Sequence, residues 1–369
     1  MKITAITTIP FTIPLTLPLR RAIAFAHGSM ATTEHVLVEV HTDEGLVGRA
    51  EAPSRAYLYG ESQASMVEAV RLWFAPPLVG LDPFRTDTIR GILDRTANNN
   101  TIKGAIDIAL HDLIGQAVGQ PCFKLLGGHT DRVRVTYVCG YSTPPEMADE
   151  CARMHETHGI TAFKVKVGVD PRKDEASLAA IRTRLPDVLI YVDGNEAFGE
   201  KDALNMLAMA AAHKVAWAEE PCPAPDSVAR RRVAEHGAIP ILGDDSCRNL
   251  SEVTREAMNA AIHLVSIKVA RTGYRLSRDI LGLATAHGIR PLIGSQGDSG
   301  IGVLAGAHFC AAHRATSALP AELCFHLNLG ADILLEPPPI VDGELVLDQR
   351  PGLGLAIDPD KLQRYRVDR

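Results

Sequence analysis

The sequence predicts an α/β protein, a parallel barrel of βα units behind an amino-terminal α+β domain. Three observations predict it. Apolar runs end in charge repeatedly: Phe163 to Val167 carries Lys164 and Lys166, Leu189 to Val192 leads to Asp193, Val215 to Ala218 to Glu219, Ile239 to Gly243 to Asp244, and Leu264 to Ile267 to Lys268. From Lys166 onward the steps to Asp193, Glu219, Asp244 and Lys268 are 27, 26, 25 and 24 residues, read from the numbering, each the length of one strand plus one helix. Polar residues at the carboxyl ends of successive parallel strands converge on one barrel face. The second observation is period-two alternation in Lys2 to Thr12 and again in His35 to Thr42, closed by the turn Asp43-Glu44-Gly45, which reads as antiparallel β. The third is size: 369 residues, 46% of them hydrophobic, suffice for a large core and about two domains.

Between the first two strands, Pro14 to Met30 is too rich in Pro, Gly and Arg for a regular element, and a loop of that length in a compact domain reads as a functional lid or a disordered segment. From Ser62 to Asn98 the period becomes helical, with Met66, Val67, Val70, Trp73 and Phe74 on one face and Pro76-Pro77 and Pro83 as breaks. A second helical run, Lys103 to Gly115, continues at helical period to Pro121, and the stretch ends at Leu125-Leu126-Gly127-Gly128. The barrel begins with Val133 to Val138, then a helix from Pro144 to His158 with Gly159 as its cap. Gly288 to Ile293 forms the seventh strand, followed by a loop from Gly294 to Gly302. Leu319 to Cys324 is the last strand, with no regular helix after it, and the tail holds a hairpin at Ile340 to Leu347.

A net charge of −6 offers no broad basic surface, so neither nucleic acid nor an anionic membrane is an expected partner. The seven cysteines, at 122, 139, 151, 222, 247, 310 and 324, lack Cys-x-x-Cys spacing and read as reduced thiols. Without a signal segment or an apolar run of membrane length, the expected location is the cytoplasm.

The chemistry concentrates at the strand ends. Lys164 and Lys166, two apart on a strand, point the same way, and each raises the cost of protonating the other. Burial adds to that cost, so at least one should have a depressed pKa and act as a base. Asp193, Glu219 and Asp244 would converge as three hard oxygen ligands, a set that suits Mg²⁺ far better than zinc. Two acidic pairs, Glu219-Glu220 and Asp244-Asp245, leave a choice, because alternation turns only one of each toward the axis.

These residues resemble the enolase superfamily and, within it, the muconate lactonizing enzyme subgroup, which joins a Lys-x-Lys second strand and a sixth-strand lysine to three acidic Mg²⁺ ligands. The loop carrying Asp298 before Gly300-Ile301-Gly302, and the segment Gly352 to Leu362, add to the likeness. The resemblance implies a (β/α)7β modified TIM barrel over 129–325, a capping domain over 1–128 with its lid at 14–30, and a C-terminal segment over 326–369 that returns to the capping domain. It implies a small-molecule carboxylate substrate, a homo-oligomer, and Mg²⁺ with Mn²⁺ as a substitute. Asp193, Glu219 and Asp244 become the ligands, with Asn195, Glu220 and Asp245 behind them, able to orient a ligand or to pair with Lys164 or Lys268. Lys166 becomes the proton-transfer group, Lys164 its neighbour on the metal-bound carboxylate, and Lys268 either a partner acid or base or a fixed cation.

Asp298, Glu322, His27, Arg20, Arg55 and Tyr59 are the candidate substrate contacts. The expected reaction is cycloisomerisation of cis,cis-muconate to muconolactone. Racemisation of N-acylamino acids is the alternative; dipeptides fit less well, because Glu322-Leu323-Cys324 stands where dipeptide epimerases carry Asp-x-Asp. A non-catalytic barrel is the remaining reading, and the loss of a ligand or lysine that would mark it is not seen. The histidine-based arrangement of the superfamily does not fit, since His287 precedes its strand.

Overall fold

In the computed structural model, residues 1–16 and 31–368 are described, together with the backbone of 23–25 and 28–30. Most of the expected lid, including Arg20 and His27, therefore lies outside the described residues.

Strands β1 (Ile3–Pro14), β2 (Thr32–Thr42) and β3 (Val47–Pro53) form an antiparallel sheet in that order. Val36, Val38 and Val40 of β2 face a core closed by helix α1 (Gln63–Ala69) and by α2 (Asn100–Val118), whose Ile102, Ala105, Ile106, Ala109 and Leu113 are buried. The helical stretch after Ser62 departs from expectation at one point. Val70–Phe74 takes a π turn and the helix then continues through Pro76-Pro77 to Leu78. The wider turn rotates the following residues, so Phe74 is buried while Trp73 is 53% exposed.

The barrel strands are β4 (Tyr137–Cys139), β5 (Ala162–Lys166), β6 (Leu189–Asp193), β7 (Ala218–Glu219), β8 (Ile241–Gly243), β9 (Leu264–Ile267) and β10 (Arg290–Ile293), parallel and in sequence order. Each is followed by a helix, from Pro144–His158 through α3 (Val269–Ala286) after β9 to α4 (Gly300–Ala312) after β10. Gly159 caps the first of these at φ 70°, the left-handed region expected for it. Closure falls to the short segment at Ala321 and Glu322. Ala321 N–H donates to Arg134 O at 2.8 Å, Thr136 N–H to Ala321 O at 2.7 Å, and Glu322 N–H to Ile293 O at 2.8 Å. Only 3₁₀ turns, Thr316–Ala318 and Phe325–Asn328, flank it among the described residues, which completes a (β/α)7β barrel.

The first barrel strand is not continuous. Arg132–Arg134 leaves the barrel to pair with Glu344–Val346 of the C-terminal hairpin, and only Tyr137–Cys139 pairs with β5. Beyond that hairpin, Leu353 N–H donates to Asp112 of α2 at 2.7 Å and Val367 N–H to Pro10 O of β1 at 3.0 Å. All seven cysteines are free and buried. No helix among the described residues is long and apolar enough to cross a membrane.

Candidate active site

Every residue of β5 is buried, so its alternation points Lys164 and Lys166 into the barrel mouth instead of toward water. In the strand register Lys166 lies beside Asp193 and Asp193 beside Glu219, which places the acids on consecutive strands. Lys166 Nζ donates to Asp193 Oδ2 at 2.6 Å and to Asn195 Oδ1 at 2.7 Å. Lys164 Nζ reaches Glu219 at 2.7 Å, Glu322 at 2.9 Å and Asp193 at 3.0 Å. Across the barrel, Lys268 Nζ donates to Asp244 Oδ2 at 2.5 Å. The mouth is thus a ring of alternating lysines and carboxylates around one cavity, lined also by Arg55, Tyr57, Tyr59, Gln296 and Phe325.

Three carboxylate oxygen donors on adjacent strands form a hard-cation donor set. Among the described residues, Glu219 Oε2 is buried with no hydrogen-bond partner, and Asp244 Oδ1 has no hydrogen bond, only an ion pair with Arg271 at 3.1 Å. Unpartnered buried carboxylate oxygens are what a divalent ion would satisfy, so these residues fit Mg²⁺. Among the described residues, no three acidic, histidine or cysteine side chains close on one point as ligands do. The lysine ammonium groups stand between the carboxylates instead.

The electrostatics of the site follow from the carboxylates around each ammonium. Burial opposes the charge on Lys164, yet the carboxylates of Asp193, Glu219 and Glu322 outweigh it and hold its pKa well above the ordinary lysine value. Lys268 is raised in the same way, against burial, by Asp244. Lys164 is therefore not the depressed amine of the strand's lysine pair, because its ammonium faces more negative charge than positive. Asp193 is held below the usual carboxylate range: burial acts against it, but Lys164 and Lys166 prevail. Glu219 is driven up, first by burial and then by the Asp193 carboxylate.

Glu220 does not pair with either lysine. It turns outward, at φ 38°, to an ion pair with Arg230 at 2.5 Å, and its Oε1 accepts from Ser246 N–H at 3.0 Å and from the Asp244 N–H. It thereby fixes the backbone that presents Asp244. Asp245 faces the cavity, where burial and the Asp244 carboxylate push its carboxyl up to about 7. Glu322 also lines the cavity, and accepts from Tyr191 Oη at 2.6 Å as well as from Lys164. Arg55 is buried at the wall, donating to Ser54 O at 2.5 Å and Gly297 O at 3.2 Å, and the Tyr59 hydroxyl accepts from Arg271 at 3.1 Å. Asp298 lies behind the wall instead of on it. Its carboxylate accepts from the Ser295 hydroxyl at 2.5 Å and Gln296 N–H at 3.1 Å, giving the loop its shape.

Sequence reasoning missed Arg271, Arg230, Tyr191 and Gln296. Arg271 follows Lys268 by three residues, which sets both on one side of the first turn of α3, and that spacing was a usable signal. Arg230 sits in a run of three arginines that reads as solvated surface.

Comparison with known proteins agrees with this architecture. Residues 7–127 match the profile of the mandelate racemase / muconate lactonizing enzyme N-terminal domain, and residues 146–361 that of the enolase C-terminal domain-like family. The chain is 30% identical to an N-succinyl-L-Arg/Lys racemase of Bacillus cereus, over 100% of this chain and 98% of that one. It is 29% identical to muconate cycloisomerase 1 of Pseudomonas putida, over 91% and 92%. Among solved structures, a muconate lactonizing enzyme from Mycobacterium smegmatis complexed with muconolactone superposes with a TM-score of 0.96 at 40% identity, covering 100% of both chains. With both domain profiles matched and a lysine-carboxylate ring at the barrel mouth, the chain belongs to the muconate lactonizing enzyme subgroup of the enolase superfamily.

Proposed function

We propose that the protein is a Mg²⁺-dependent muconate cycloisomerase. The observation that carries the reading is the placement of Lys166 Nζ at the cavity wall, held by Asp193 and Asn195, on the second barrel strand and across from Lys268 after the sixth. The full-length likeness to a structure holding muconolactone supports this substrate over others. In this reading Asp193, Glu219 and Asp244 hold the ion. When bound, it supplies positive charge to the substrate carboxylate as negative charge builds there. Lys164 and Lys268, the first beside Glu219 and Asp193 and the second beside Asp244, flank the same carboxyl group as ammonium cations and stabilise the enediolate electrostatically. The far carboxylate of muconate adds to the double bond, and Lys166 donates a proton to the α-carbon. Asn195 keeps that ammonium aimed into the cavity, and Glu322 anchors Lys164 together with Glu219.

A second reading, racemisation of N-acylamino acids, is favoured by Lys268, which offers a second proton-transfer group on the other face, and by the Bacillus cereus relative. The test is an absorbance assay of the purified protein with Mg²⁺ and cis,cis-muconate. Loss of the diene absorbance is expected, abolished by a chelator and reduced by at least about 10²-fold in Lys166→Ala, the low end for a lost general acid. If folded, Mg²⁺-loaded protein leaves the diene untouched but exchanges the α-proton of N-acylamino acids for deuterium, the racemase reading replaces this one.

A further inference from the structure

We propose that Gln296 reads the far end of the substrate, donating from its side-chain amide to the carboxylate distant from the lysines; this rests on the dicarboxylate reading above. Gln296 is 6% exposed and lines the cavity, and among the described residues neither its Nε2 nor its Oε1 has a hydrogen-bond partner. Buried amides are nearly always bonded, because the hydrogen bonds surrendered to desolvation must be replaced. An unbonded amide in a ligand cavity therefore takes its partner from the ligand.

The loop that carries Gln296 is otherwise committed. Ser295 Oγ donates to Asp298 at 2.5 Å, Gly297 N–H donates to Ser295 Oγ at 3.1 Å, and Arg55 Nη2 donates to Gly297 O at 3.2 Å. Ser295 N–H points to Glu322 at 3.3 Å. The backbone is thus pinned on both sides, and the Gln296 side chain is what it presents. Its place is between the two ends of the site: a Cβ on Gly294 would lie 3.0 Å from Lys268 Cε, while a Cβ on Gly297 would strike the Arg55 guanidinium. Gln296 occupies the span that an extended dicarboxylate crosses from the lysines toward Arg55.

The chemistry suits a neutral donor. In lactonisation the far carboxylate is the nucleophile, and a cation gripping both its oxygens would drain the charge that forms the new bond. One amide N–H bonded to one oxygen holds the group and leaves a lone pair on the other. That second oxygen forms the C–O bond, the π pair moves onto the α-carbon and its carboxyl group, and Lys166 supplies the proton. The oxygen bonded to Gln296 becomes the lactone carbonyl, still an acceptor, so the contact persists into product. Arg55 directs N–H groups of both its Nη1 and Nη2 to the Ser54 and Gly297 carbonyls, whereas the Gln296 amide has no such commitment among the described residues.

The experiment measures calorimetric binding of adipate, the saturated diacid that cannot cyclise, to the Mg²⁺-loaded full-length protein, with hexanoate as the single-carboxylate control. Gln296→Glu should weaken adipate by roughly tenfold or more through lost donation and added repulsion, and Gln296→Met by less, with hexanoate and Mn²⁺ affinities little changed in both. With muconate, KM should rise in the same order while kcat changes less. Adipate binding that is absent in the parent, equal in parent and variants, or lost in parallel with hexanoate overturns the inference. Gln296-dependent adipate binding without turnover of muconate supports the inference and overturns the cycloisomerase reading.

Discussion

Arg271 shows how much one buried side chain can hold. Its guanidinium is an ion-pair partner of Asp244, donates to the carbonyls of Asp244, Cys247 and Ser266 at 3.1–3.3 Å, and reaches the Tyr59 hydroxyl. It ties the ends of the fifth and sixth barrel strands to the capping-domain segment over the cavity. Removing a buried partner leaves the other charge uncompensated, so Arg271→Met should cost about 3–5 kcal/mol in urea unfolding. Arg271→Lys keeps the charge but not the planar fork, and should fall between parent and Arg271→Met. At this scale the sequence was most legible for Lys164, Lys166, Lys268 and the three acids, whose type and spacing are local facts. It was least legible for protonation. Two neighbouring lysines argue for a depressed pKa, and only the Asp193, Glu219 and Glu322 carboxylates brought by three other segments reverse the sign for Lys164.

Among the elements, the crossing of α2 and α3 joins the capping domain to the barrel. At Gly104 a Cβ would lie 2.9 Å from Gly273 N and 3.2 Å from Ala270 O, both backbone atoms that cannot swing away. Gly273 itself sits at φ 63°, where α3 kinks, and its neighbours Tyr274 and Arg275 donate their N–H groups to Asp107 of α2. Gly104→Ala should therefore destabilise by about 1–3 kcal/mol in thermal or urea unfolding, the range of overpacked cores. Gly91→Ala, in the helix Thr86–Leu93 with nothing within 4 Å of the added Cβ, should instead stabilise by roughly 0.5–1 kcal/mol. The helical period of both α2 and α3 was legible, but their contact was not. The same limit applies to the broken first strand, whose Arg132–Arg134 half follows a hairpin more than two hundred residues later.

For the whole molecule, the docking of capping domain, barrel and C-terminal segment meets at Glu51. This buried carboxylate of β3 accepts from the Ser299 N–H at 2.8 Å and from the Ser299 hydroxyl at the start of α4, while Asp332 accepts from Gly300 N–H at 2.7 Å. Burial, then Asp298 and Asp332, push the Glu51 carboxyl up to about 8, while burial keeps adjacent His35 neutral and unable to compensate. The folded state thus binds this proton more tightly than the unfolded chain does. Its stabilisation is complete below the ordinary value of 4.5 and is lost as pH rises through about 8. Glu51→Gln, which mimics the protonated form, should remove roughly 2–4 kcal/mol of pH dependence between about pH 6 and 9, read from urea midpoints across that range. His308 and His326, lowered to about 4 by burial, act the other way and erode stability as pH falls from 6.5 toward 4.

Strand-plus-helix spacing and the residue types at strand ends specify a barrel, a lysine pair and three strand-end acids, because these are written along the chain and need no distant partner to be read. Which lysine meets which carboxylate, why Glu220 turns away to Arg230, and that Gln296 lacks a partner depend on groups far apart in the chain arriving at one face. Burial and charge there are sums over neighbours, and only the packed barrel supplies those neighbours.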